Sequence, residues 1–170
     1  MRTRFTGRLS RMSASIAVLL LALGTTAADA AERDPLADRG WAWPVAVVRV
    51  VRPFEAPPGP YAAGHRGVDL GDVERVRSPA PGRVAFAGEV AGRPVVTIDH
   101  GDGLVTTFEP VTTVLGVGDP VARGDPIGEV AAGGHVAGGA VHFGVRWNGE
   151  YVNPLRLLGG VPRAVLLACC

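Results

Sequence analysis

The sequence predicts an all-β fold, a compact antiparallel β-sheet or barrel-sandwich domain, and three observations predict it. Gly at 24 and Pro at 14 of 170 residues make up about 22% of the chain, well above ordinary usage, which favours tight turns between short strands. Short apolar runs rich in β-formers recur along the chain with turn residues between them, and no long helical stripe interrupts them. Hydrophobic residues at 47% against 19% charged residues give the composition of a folded domain with a buried core, and the length suits one domain plus a processed leader.

Taken in order, residues 1–30 have the features of a secretory signal. Arg2, Arg4, Arg8 and Arg11 give a positive start, residues 16–23 an apolar stretch, and Ala28-Asp29-Ala30 a small-x-small cleavage site. The apolar stretch is about eight residues against the roughly 20 that span a bilayer, so the expectation is export, with no membrane attachment after cleavage. No Cys lies near the cleavage site, so lipoprotein processing is not expected. Removal of the leader takes four Arg and one Asp and leaves 13 basic against 15 acidic residues, a balance with no electrostatic grip on nucleic acid. The expected location is extracellular, at the cell wall.

Residues 31–42 are charged and lack apolar periodicity, which predicts an exposed lead-in. The domain is expected over 43–158, with strands over 45–51, 82–87, 95–99, 104–108, 114–117, 127–130 and 140–147. Asn148-Gly149, between Val145-Arg146-Trp147 and Tyr151-Val152, is the strongest hairpin signal, because both residues tolerate positive φ. The run 133–139, with four Gly, reads as a flexible loop beside a site or as a passive connector. Residues 159–170 form a tail. Its adjacent Cys169 and Cys170 close no loop of useful length, and they read as tail thiols, an intermolecular bridge or a vicinal disulfide rather than as a metal pair.

All 17 basic residues are Arg, which excludes chemistry that requires a lysine, such as a Schiff base or lipoyl attachment. The four His stand at positions 65, 100, 135 and 142. His65-Arg66-Gly67-Val68-Asp69 sets an imidazole and a carboxylate four apart around a Gly, which on a turn entering a strand converge on one point. Such a pair is either the start of a zinc site or a surface pair, and a zinc site with three protein ligands and water is a catalytic one. His142 is the candidate third ligand. Strand alternation places Ala140, His142, Gly144 and Arg146 on one face, where His142 is otherwise a hydrogen-bonded structural histidine.

Beyond these residues the chain resembles the lysostaphin and LytM type of zinc endopeptidases, which cut peptide bonds in bacterial peptidoglycan. The likeness lies in Gly64-His65-Arg66-Gly67-Val68-Asp69-Leu70, in 76–84, in 96–106 with its Asp99-His100-Gly101-Asp102-Gly103 turn, in 117–128, in Val141-His142-Phe143-Gly144-Val145-Arg146 and in Tyr151-Val152-Asn153-Pro154-Leu155. These stretches follow the family's order from about residue 43 to 158. The resemblance implies a Zn²⁺ held by His65, Asp69 and His142, and peptidoglycan as the partner. It also implies two further histidines beside the metal, and there this chain departs: Ala140 stands two residues before the last ligand, and Phe108-Glu109-Pro110 replaces a Tyr-Ala-His-like pattern, leaving Pro110 at the histidine position.

General acid/base groups typically contribute about 10²–10⁴ in rate, so two substitutes matter. Glu109 adjoins the altered position and is of the right chemical class, although alternation points it away from the face that carries position 110 unless Pro110 breaks the register. His135 lies in the glycine-rich run. His100 reads as support for its turn, and Arg146 as a candidate carboxylate partner. Two functions follow: a secreted zinc metalloendopeptidase acting on peptidoglycan cross-links, or a degenerate domain that binds cell wall or regulates another hydrolase. The Gly-Asp turn at 118–119 also resembles carrier domains, but carriers need the lysine this chain lacks.

Overall fold

The computed structural model describes residues 34–59, 61–132 and 139–159. Eleven strands are present among these residues: β1 (Val50–Arg52), β2 (Gly67–Leu70), β3 (Arg75–Arg77), β4 (Gly82–Val90), β5 (Arg93–Asp99), β6 (Leu104–Glu109), β7 (Val111–Thr112), β8 (Pro120–Val121), β9 (Pro126–Val130), β10 (Val141–Trp147) and β11 (Glu150–Val152). One short helix, α1 (Leu155–Leu158), follows them. Every strand pairing is antiparallel. The larger sheet runs β1-β2-β10-β6-β5-β4-β8, with β11 also on β10, and a smaller sheet runs β3-β9-β7. The expected all-β class holds.

The alternation of β10 shows how the sequence sorts its two faces. Val141, Phe143 and Val145 are fully buried, and they meet Leu70, Val68 and Phe108 across the neighbouring strands. Phe108 and Phe143 are a direct cross-strand pair with stacked rings, centroids 5.0 Å apart, and each fully buried side chain of this kind contributes about 1.5–3 kcal/mol. With that face committed to the core, His142, Gly144 and Arg146 are left on the other. The hairpin signal is borne out: β10 and β11 pair from Val145↔Val152 to Trp147↔Glu150, and Asn148 and Gly149 both have positive φ, at 51° and 89°.

Three expectations need correction. Residues 34–42 are no exposed lead-in: Leu36 is fully buried, Trp41 is 8% exposed, and Asp34 accepts two hydrogen bonds from Arg156, at 2.7 and 2.8 Å, that pin the segment to α1. Two isolated side chains do the burying there, so no periodicity announces it. Residues 114–117 form no strand, because Thr113 Oγ1 and Asp119 Oδ2 accept the N–H groups of Leu115 and Gly116 at 3.0 and 2.8 Å and satisfy the backbone locally. Of 45–51 only Val50 and Val51 are in a strand, and Val47 and Val48 are exposed.

Candidate metal centre

Three side chains converge on the outer face of the larger sheet. His65 is held just ahead of β2 by a two-way backbone bridge with Glu55, in which each N–H donates to the other's carbonyl at 2.8–2.9 Å. Asp69 lies on β2 and His142 directly opposite it on β10. Cross-strand partners point to the same side of a sheet, so register alone brings the last two together. The contacts are close: His65 Nε2 to Asp69 Oδ1 is 3.0 Å, His142 Nδ1 to Asp69 Oδ1 is 2.8 Å, and the two imidazole nitrogens are 3.1 Å apart. All three residues are buried. Sequence reasoning named this trio, and the fold brings it together.

The donor set fits a divalent ion. His65 Nδ1 donates to the Pro53 carbonyl at 2.6 Å, which fixes the tautomer and turns the Nε2 lone pair toward Asp69 and His142. Two imidazole nitrogens and a carboxylate oxygen thus converge, and a cation would take the place of the proton shared between His142 Nδ1 and Asp69 Oδ1. Ligands about 2.0–2.1 Å from a tetrahedral zinc stand roughly 3.3 Å apart, near the separations seen here. Burial holds the His142 imidazole below its usual range, partly opposed by the hydrogen bond and charge of Asp69, and so favours the neutral form that ligation requires.

A glycine makes the packing possible. A Cβ on Gly67 would stand 2.7 Å from His142 Nε2 and overlap the Phe143 carbonyl oxygen, so the absent side chain is the space the His142 ring occupies. The sequence marks this glycine between His65 and Asp69, but the Pro53 carbonyl and Arg93 were not singled out from it. Pro53 and Arg93 are distant along the chain from the groups they hold, and no local pattern marks them.

Glu109 requires a correction of direction. Instead of turning away, it ends β6 directly opposite His142, so Asp69, His142 and Glu109 form one row across three strands on one face. Its carboxylate is buried and accepts a hydrogen bond from Arg93 Nε at 2.9 Å, and its charge acts on the His142 imidazole. Ala140 and Pro110, at the two positions where the resemblance implies histidine, are both buried, and the Pro110 carbonyl accepts the Ala131 N–H at 3.0 Å. His135, Cys169 and Cys170 lie outside the described residues. His100 supports its turn as expected: Nδ1 donates to the Pro81 carbonyl and Nε2 accepts from Thr106 Oγ1, both at 2.9 Å, against the ring of Trp41. Arg146 lies against the Tyr151 ring at 5.9 Å, rather than holding a carboxylate of the described residues.

The geometry agrees with the comparisons to known proteins. The model of peptidase family M23 matches residues 63–154, which include all three converging side chains. An uncharacterised protein of Mycobacterium tuberculosis, Rv2891, is 39% identical over 157 residues, covering 87% of this chain, and the chain spans only 62% of that relative's length. Among solved structures, Helicobacter pylori Csd3 is 30% identical with a TM-score of 0.59, over 69% of this chain and 34% of its own. The catalytic domain of the prophage-encoded M23 protein EnpA from Enterococcus faecalis is 26% identical with a TM-score of 0.55, over 64% of this chain and 90% of its own.

Proposed function

The chain belongs to peptidase family M23, and from that premise we propose that it is an exported, zinc-dependent endopeptidase acting on the peptide cross-links of bacterial peptidoglycan. The observation that carries this reading is the meeting of His65 Nε2, Asp69 Oδ1 and His142 Nδ1 within 3.1 Å of one another. Bound there, zinc would supply Lewis acidity toward the scissile carbonyl and lower the pKa of a water. The Pro53 carbonyl keeps His65 in the ligating tautomer, and β2–β10 register holds Asp69 against His142. Glu109 takes the proton as water adds and returns it to the leaving amine, with Arg93 fixing the orientation of its carboxylate.

A second reading rests on Ala140 and Pro110, which carry no protons where the family's histidines would. In this reading the domain keeps its metal for stability or recognition, binds cell wall and regulates another hydrolase. The discriminating experiment measures zinc content of the purified chain and release of soluble wall peptides from peptidoglycan, for wild type and His142→Ala. Zinc at one equivalent with release abolished by His142→Ala supports the peptidase. Zinc without any release supports the regulatory domain, and no zinc at all overturns both.

A further inference from the structure

Glu109 lies between two cationic positions, one on each side of its strand. In the larger sheet β6 runs between β10 and β5, with His142 of β10 directly across from Glu109 and Arg93 at the start of β5. The β10 side is the metal row. Asp69, from the matching position on β2, reaches His142 Nδ1 at 2.8 Å, and Glu109 flanks the same residue from the other side with a side chain one methylene longer. Its charge is felt at the His142 imidazole. On the β5 side Arg93 Nε donates to Glu109 Oε2 at 2.9 Å, so one of the two carboxylate oxygens is committed to the arginine.

The fold fixes Arg93 in turn. It follows the two-residue turn Ala91-Gly92 of the β4–β5 hairpin, where φ values of 50° and 76° give the left-handed geometry that suits a tight hairpin. Its Nη1 donates across that hairpin to the Val90 carbonyl at 3.4 Å while Nε holds Glu109. Glu109 is buried, and a buried carboxylate that loses its cation is costly. Without Arg93, a divalent ion held in the same row by His65, Asp69 and His142 supplies the compensating charge. Zinc with three protein ligands keeps a position for water or substrate, and a glutamate oxygen is an ordinary further ligand that turns an open site into a closed one.

We propose that Arg93 is a positioning residue that holds the Glu109 carboxylate off the metal, so that the ion keeps an open position and the carboxylate stays available to move protons. This rests on the reading of His65, Asp69 and His142 as a zinc site and deepens it, because an ion pair outside the ligand set then decides whether the site is open or closed. The test reads metal binding rather than turnover. The full chain and its Arg93→Gln, Glu109→Gln and Arg93→Gln/Glu109→Gln variants are titrated with zinc against a competing chelator. Each is also loaded with Co²⁺ and followed by visible spectroscopy, with azide as the probe of an open position.

Arg93→Gln should bind zinc about tenfold or more tightly than wild type through its added ligand, and its cobalt spectrum should no longer respond to azide. Wild type, Glu109→Gln and the double variant should all respond, and the last two should bind zinc within about threefold of each other. An Arg93→Gln chain that binds zinc no more tightly than wild type overturns the proposal. So does one that still responds to azide, or tightening of the same size in the Glu109→Gln background, since the loss of a positive charge alone would produce either. Failure of Arg93→Gln to fold with metal present overturns it too, because the ion would then have left the carboxylate uncompensated. A wild type that binds zinc without any azide response is already closed, which overturns the proposal and leaves the metal site standing. A wild type that binds neither zinc nor cobalt removes the metal reading and this proposal with it.

Discussion

Glu109 stands directly across from His142, at the end of β6, with its carboxylate tied to Arg93 Nε at 2.9 Å. That placement puts an ionisable group in the row of the candidate ligands, one strand across from His142. A buried carboxylate paired with an arginine is commonly structural, so the test must separate roles. Glu109→Gln preserves shape and one hydrogen-bond acceptor for Arg93. If the carboxylate moves protons, wall-peptide release should fall about 10²–10⁴-fold with zinc content unchanged and with altered pH dependence of the remaining rate. Full activity in Glu109→Gln would refute the relay role.

Much of the site was legible because its signals are local. His65 and Asp69 sit four apart around a glycine, and the alternation of β10 separates His142 from Phe143 without any knowledge of partners. What sequence could not supply was register. Whether Glu109 faces His142 depends on which residue of β6 lies opposite it, and that follows from the Phe108–Phe143 pairing in the core. Long-range supports were equally silent: Pro53 is twelve residues from His65, and Arg93 is sixteen from Glu109. The burial of Leu36 and Trp41 escaped for a related reason, since single anchoring side chains in a charged segment carry no period.

Metal removal gives a prediction independent of catalysis. Zinc at a free concentration 100 times its dissociation constant should stabilise the folded chain by about 2.7 kcal/mol, because an unfolded chain has no preformed trio of ligands. Chelation should therefore lower the melting temperature by several degrees in wild type and change it little in His142→Ala or Asp69→Asn. Equal shifts in all three would place the bound ion elsewhere.

The metal-free chain should also lose stability in mild acid, in part through His100. Burial lowers the pKa of this imidazole from its ordinary value of 6.5, while in the unfolded chain it titrates normally. Between these two values the folded state consequently binds fewer protons than the unfolded chain, so the contribution is complete above about pH 6.5 and declines as the pH falls toward the lowered folded value. His142 follows the same sign when no metal is bound. In the presence of chelator, His100→Gln should show a shallower fall in melting temperature between pH 7 and pH 5.5 than wild type, with His142 contributing equally to both. Parallel curves would assign the acid sensitivity to other groups.

Gly67→Ala probes how tightly the metal row is packed. The added methyl would stand 2.7 Å from His142 Nε2 and against the Phe143 carbonyl, so either the ring or the β2–β10 register has to yield. Register is anchored by fully buried Val68 and Phe143, which makes the ring the softer element. The expected result is a destabilisation of about 1–3 kcal/mol, the usual range for an overpacked site, together with weaker zinc binding as His142 Nδ1 swings away from Asp69. Equilibrium denaturation and a competitive zinc titration measure the two effects separately. A stable variant with unchanged zinc affinity would mean that the ring has room the present packing does not reveal, and that the glycine is dispensable to the site.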